Sequence, residues 1–111
     1  MNFPEEIEKE AVKNFNLAVS LRQLKEEQAE ITDELTLQVA MDSQLSNETK
    51  RKAALKILLT DNASYQQYLE MIRVSERELH LSTIRLERLR NDFSITKLEA
   101  RKQIAASEQV A

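Results

Sequence analysis

The feature that most constrains this chain is an apolar or aromatic repeat at seven-residue spacing across residues 62–105, a segment without Gly or Pro. The repeat comprises Ile72, Leu79, Leu86, Phe93 and Ala100, with Tyr65, Tyr68 and Leu89 on the same face. As a continuous helix the segment would be roughly 66 Å long at 1.5 Å per residue. A helix of that length is stable when its apolar stripe packs against another helix. The repeat therefore predicts a long helix and a helical partner for it.

The partner within the chain is predicted over residues 4–43. Pro4 followed by Glu5 and Glu6 is typical of a helix start, because proline suits the first turn and carboxylates complement the helix dipole. Apolar side chains then follow at alternating spacings of three and four residues, namely Leu17, Leu21, Leu24, Ile31 and Leu35. Polar residues interrupt this stripe at Glu10, Asn14, Gln28 and Gln38. Interruptions of this kind weaken a coiled coil but fix its register.

A short helix is predicted over residues 48–59, between the two long ones. The polar run 42–47 precedes it, and either Ser46 or Asn47 can cap it. A second break at 60–62 offers Asp61 or Asn62 as the cap of the long helix. Since no Gly or Pro enforces this break, it could be a turn or a kink, and a continuous helix exchanged between chains remains an alternative. Residues 106–111 lack large apolar side chains, and we expect them to fray.

Composition agrees with an all-α chain. It has no Gly, one Pro and no Cys, and charged residues make up 32% against 41% apolar. We therefore predict a single helical domain over residues 1–111, a long helical hairpin or antiparallel coiled coil with a short connecting helix. Its intrachain seam would consist of Leu17, Leu21, Leu24, Ile31, Leu35, Ile72, Leu79, Leu86 and Phe93.

The long helix carries a second apolar seam. Leu81, Ile84, Ile95 and Leu98 lie on the side opposite to Ile72 and Leu79 when each residue turns the helix by 100°. No further long helix is predicted in this chain to cover them. They therefore predict self-association into a helical bundle, as a homodimer in the simplest case.

The sequence offers little material for catalysis. There is a single histidine, His80, on a helix flank, and neither cysteine nor glycine-rich loops are present. Glutamate pairs such as Glu26 and Glu30 lack the Glu-x-x-His motifs of helical di-metal sites. We therefore expect no enzyme, no catalytic or metal-binding residues and no cofactor.

Location and membrane association are predicted from apolar runs and charge. The N-terminal segment is acidic and lacks a signal-peptide pattern. No stretch approaches the ~20 apolar residues of a membrane span. We therefore expect a cytoplasmic protein without membrane contact.

One basic cluster could bind phosphates, namely Lys50, Arg51, Lys52 and Lys56 on the short helix. The alternative is an ordinary amphipathic helix with its charges in water. A net charge of −3 disfavours a nucleic-acid partner, because such domains usually have a clear basic excess.

Residues 45–100 also carry a pattern of short motifs. A helix containing Asn47, Arg51 and Ala53 is followed by an acidic break, Tyr65, and a long helix with Leu89-Arg90-Asn91-Asp92-Phe93. This pattern resembles small uncharacterised helical proteins of phages, prophages and bacteria. The resemblance implies a non-enzymatic accessory protein, encoded beside functions in single-stranded DNA recombination or replication.

Two functional hypotheses follow. The first is a structural or adaptor coiled-coil protein that self-associates and binds a protein partner that the sequence does not identify. The alternative is an accessory protein of phage-type DNA recombination or replication that contacts single-stranded DNA through the basic helix.

Overall fold

A computed structural model describes residues 1–110 and shows three α-helices: α1 (Phe3–Ala40), α2 (Glu48–Asp61) and α3 (Ala63–Val110). Residues 1–110 contain no β-strand. The predicted fold class, an all-α helical hairpin with a short connecting helix, is confirmed. None of the helices in this range has a segment both long and apolar enough to span a bilayer.

Helix boundaries differ from the predicted ones by a few residues, and most at the end of α3. The tail predicted to fray from residue 106 is helical as far as Val110, because Ala, Glu and Gln favour helix even without packing. Helix α1 ends at Ala40 and not at residue 43. The Asp42 side chain there accepts a hydrogen bond from the Gln44 N–H at 2.9 Å, which stabilises a turn in place of further helix.

All three helices begin at an asparagine whose side-chain oxygen accepts a backbone N–H. Asn2 accepts from Glu5 at 3.2 Å, Asn47 from Lys50 at 2.9 Å and Asn62 from Tyr65 at 2.8 Å. These N–H groups have no partner inside their own helices, so the asparagines satisfy them. Of the caps proposed from the sequence, Asn47 and Asn62 are the ones used.

Asn62 alone separates α2 from α3. Its backbone is extended, with φ −80° and ψ 111°, so the helical path is interrupted for one residue. Its N–H donates to the Leu59 carbonyl at 3.3 Å, while its own carbonyl accepts from the Gln66 N–H at 3.1 Å. The Gln66 side chain also donates to Leu59 at 3.2 Å. The two helices are therefore separate, which answers the question that the sequence left open.

Tertiary contacts divide the chain, predicted as one domain, into two units. Unit 1 comprises Met1–Leu17 and Glu78–Ala111, and unit 2 comprises Ala18–Arg77. Every residue of the predicted intrachain seam is buried or partly buried in its own unit. Gln38, the last polar residue of the predicted α1 stripe, is instead exposed, and Val39 is buried.

In unit 1 the two helical segments run antiparallel. Phe3 contacts Phe93, with ring centroids 5.6 Å apart, and Asn14 contacts Ser82 farther along. The Lys97 ammonium lies 4.4 Å from the centroid of Phe93, a cation–π contact at the edge of this pair. Leu86 is buried between these points.

Unit 2 contains α2 and the facing segments of α1 and α3. Its buried apolar residues are Leu21, Val39 and Ile72. Lys25 and Glu76 form an exposed ion pair at 3.5 Å between the facing segments. Helix α2 contributes the partly buried residues Ala54, Leu55, Leu58 and Leu59, so it covers apolar surface with one side only.

Candidate interaction surfaces

A polar layer interrupts the apolar packing of unit 1. Asn14 donates through its side-chain amide to the hydroxyls of Ser82, at 3.3 Å, and Thr83, at 3.0 Å. One turn away, Arg85 donates to the Glu10 carboxylate at 3.3 Å. Ser82 is 1% exposed and Glu10 is 8% exposed. These groups satisfy each other only in one alignment of the two segments, so the layer fixes their register.

The sequence predicted the α1 half of this layer and missed the α3 half. The polar interruptions at Glu10 and Asn14 predict polar groups on the packed face of α1, whereas Ser82, Thr83 and Arg85 are not predicted as their partners. A signal for Ser82 was available, because it lies three residues after Leu79 and four before Leu86, on the face that packs against α1. No comparable signal existed for Arg85, which reaches the layer from the flank.

The predicted self-association seam lies on the surface of unit 1. Leu81, Ile84, Ile95 and Leu98 are 40–51% exposed. Two polar residues continue the same stripe between them, Arg88 and Asn91, both exposed. We call these six residues the outer stripe. Large apolar side chains at regular heptad spacing are typical of a helix–helix contact, whereas single exposed ones need no explanation.

Helix α1 also exposes apolar side chains in unit 1. Val12 and Phe15 are both exposed, and the sequence analysis did not single them out as a functional surface. They form one short cluster with Val19 at helical spacing, and the charged residues Glu8 and Arg22 bound it. They serve below as a control surface.

The basic cluster of α2 is exposed, but it does not present one uniform face. Arg51 donates through Nε to the Leu45 carbonyl at 3.0 Å, and Lys52 pairs with Glu48 at 3.3 Å. Lys50 lies about 160° around the helix from Lys52, at 100° per residue. Phosphate contact by Lys50, Arg51, Lys52 and Lys56 stays a prediction, and this arrangement does not bring the four cations together.

The surface clefts of unit 2 include an apolar and a polar one. An apolar one of about 310 Å³ is lined by residues that include Val39, Leu45, Ile57 and Leu58. A polar one of about 370 Å³ is lined on α1 by Glu27, Glu30, Ile31, Glu34 and Leu35, and on the α3 side by Asn62, Ser64 and Tyr68.

Tyr68 is the one group of the polar cleft with a perturbed acidity. A hydrogen bond to Glu27 raises the pKa of Tyr68 above 10.0, and burial and the charges of Glu27 and Glu30 act in the same direction. The phenolate form of Tyr68 cannot donate a hydrogen bond to Glu27 and is repelled by both carboxylates. The carboxylates therefore favour the protonated phenol. The cleft is therefore an acidic surface that holds a protonated tyrosine.

Within residues 1–110, no three His, Cys, Asp or Glu side chains are grouped closely enough to hold a metal ion. Comparison with protein-family models, curated proteins and solved structures finds no match. The resemblance of residues 45–100 to phage and bacterial accessory proteins therefore stays a prediction.

Proposed function

We propose that this protein is a non-enzymatic adaptor, a coiled-coil protein that self-associates through the outer stripe and thereby presents its remaining surfaces to a protein partner. The observation that carries the proposal is the exposure of Leu81, Ile84, Ile95 and Leu98 on one face of α3. Self-association would join two or more copies into a bundle.

The energetic argument concerns apolar area. Complete burial of one Leu or Ile side chain contributes about 1.5–3 kcal/mol relative to full exposure. These four side chains are already about half buried within their own chain. A second helix could cover the remaining part of each of them in every associating chain, and four side chains at heptad spacing fit such a helix.

The basic helix supports the DNA-accessory alternative less well. Arg51 and Lys52 already have partners within unit 2, and an acidic residue, Glu48, lies beside Lys52. A phosphate contact would compete with these interactions. Among the described residues, the outer stripe has no such contact that would have to break before a second helix could bind it. We therefore favour the adaptor over the DNA-accessory protein.

Analytical ultracentrifugation tests the proposal. The unmodified protein should sediment as two or more chains at micromolar concentration, and Leu81→Glu with Ile95→Glu should sediment as one chain that is still helical by circular dichroism. The matched control is Val12→Glu with Phe15→Glu, which places the same charges on the other exposed apolar cluster of unit 1.

The control should remain associated. A monomeric unmodified protein would refute self-association. If the control dissociates while Leu81→Glu with Ile95→Glu remains associated, the interface lies elsewhere and the outer stripe is not the contact surface.

A further inference from the structure

The order of side-chain types along the outer stripe is the same from either end. Its six residues are, in order, Leu81, Ile84, Arg88, Asn91, Ile95 and Leu98. The spacings between successive residues are three, four, three, four and three, which is symmetric about the centre. The side chains are a leucine and an isoleucine at each end, with the leucine outermost, and two polar residues in the middle. All six are exposed. In a contact across a two-fold axis, residue i of one copy meets residue j of the other and residue j meets residue i, so a stripe with this symmetry can pair with itself in the antiparallel direction.

An antiparallel second copy matches this symmetry. Leu81 would face Leu98 of the second copy, Ile84 would face Ile95, and Arg88 would face Asn91. The apolar pairs then flank two adjacent polar pairs at the centre of the contact, Arg88 with Asn91 and the same pair repeated by the two-fold axis. Polar layers inside an apolar helix contact fix its register and orientation.

Charge separates the antiparallel arrangement from the parallel one. In a parallel, in-register pair, Arg88 would face Arg88 of the other copy, and Glu87 would lie beside Asp92. Both are like-charge contacts. In the antiparallel pair, Arg88 would face Asn91 and lie beside Asp92 of the second copy. The polar centre of the stripe therefore brings opposite charges together in the antiparallel arrangement and like charges together in the parallel one.

We propose that the outer stripe is covered by a second copy of this chain, docked antiparallel, with the two-fold axis passing between Arg88 and Asn91. The inference rests on the proposed self-association and adds the identity and direction of the partner. Charged residues end the stripe on both sides, Arg77 before Leu81 and Lys102 after Leu98. The contact therefore lies between them, on residues 81–98 of unit 1.

Cysteine cross-linking tests the direction, and the natural chain contributes no thiol. Two full-length variants are prepared, Ile84→Cys and Ile95→Cys, and treated with a short thiol-reactive cross-linker separately and as a mixture. In the antiparallel pair, position 84 of one copy lies next to position 95 of the other. Equivalent positions are displaced by about 16 Å along the axis, from 1.5 Å per residue.

The mixture should give a cross-linked heterodimer, and each variant alone should give little. Mixing Leu81→Cys with Leu98→Cys should repeat this result at the ends of the stripe. The matched control mixes Leu81→Cys with Ile84→Cys, whose positions lie about 21 Å apart along the axis of the antiparallel pair, from 1.5 Å per residue, and should cross-link poorly.

The outcomes also separate this inference from the proposed function. Efficient cross-linking of each variant alone, with sedimentation still showing dimers, would overturn the antiparallel arrangement and leave self-association standing. A protein that neither sediments as a dimer nor cross-links in any mixture would overturn both.

Discussion

Glu10 and Arg85 form an ion pair in unit 1, with 3.3 Å between the carboxylate oxygen and the guanidinium nitrogen. The two partners of the ion pair differ in exposure to water, because the Glu10 side chain is 10% exposed and the Arg85 side chain is 55% exposed. Water therefore reaches the cation easily but reaches the carboxylate poorly. The energetic importance of the pair lies in keeping Glu10 from being buried without a partner.

We predict that Arg85→Ala lowers the free energy of unfolding by about 1–3 kcal/mol, the cost of leaving a buried polar group without a hydrogen-bond partner. The measurement is urea denaturation at a fixed protein concentration, since association also affects apparent stability. The matched control is Arg22→Ala, which removes an exposed pair with Glu26 at 4.0 Å. Pairs of that kind contribute about 0.5 kcal/mol or less. Equal effects of the two substitutions would contradict a special role for Glu10.

The polar layer gives a second prediction, at Asn14. Its side chain donates to both Ser82 and Thr83, so Asn14→Ala should remove two hydrogen bonds. At about 0.5–1.5 kcal/mol each, the loss in unfolding free energy should be about 1–3 kcal/mol. Asn16→Ala, at an exposed position of the same helix, is the control and should change stability little. A loss at Asn14 no greater than at Asn16 would show that the layer does not stabilise unit 1.

Tyr68 gives a prediction about alkaline pH. Its pKa is raised in the folded state, first by the hydrogen bond to Glu27, so the protonated phenol stabilises the fold. That contribution is fully present below a pH of about 10, the unfolded value, and is lost as pH rises through the higher folded value. Stability of the natural protein should therefore fall with pH in that window more steeply than that of Tyr68→Phe.

Comparison of unfolding curves across this window measures the effect. Lysines titrate in the same range, so the informative quantity is the difference between the natural protein and the variant. Tyr65→Phe keeps the Tyr68–Glu27 pair and should follow the pH dependence of the natural protein. Identical slopes for the natural protein and Tyr68→Phe would rule out the stabilising hydrogen bond.

Much of the fold could be predicted from periodicity and capping chemistry. The heptad repeat around Ile72 and Leu86 predicted the face of α3 that is buried, because a long helix has no other way to remove such a stripe from water. The end of α3 could not be predicted in the same way. Residues 106–109 are exposed, so helix propensity alone decides their conformation.

The candidate site was predictable only in part, for a different reason. Exposure of Leu81 and Ile95 follows from their position opposite the packed face, which the sequence shows directly. The Glu10–Arg85 pair depends instead on how two distant segments are aligned. A pattern within one helix carries no information on which cation of the other helix comes within reach.

The last prediction concerns Asn62, the single extended residue between α2 and α3. Its side chain accepts the Tyr65 N–H at 2.8 Å, and loss of an asparagine cap costs about 1 kcal/mol. Asn62→Ala should therefore lower the free energy of unfolding by that amount, whereas Asn62→Asp keeps an acceptor and should remain close to the natural protein. Alanine also favours helix at the junction, so helix content measured by circular dichroism should not fall. Equal destabilisation by both substitutions would show that the amide group of Asn62, and not its acceptor oxygen, holds the two helices apart.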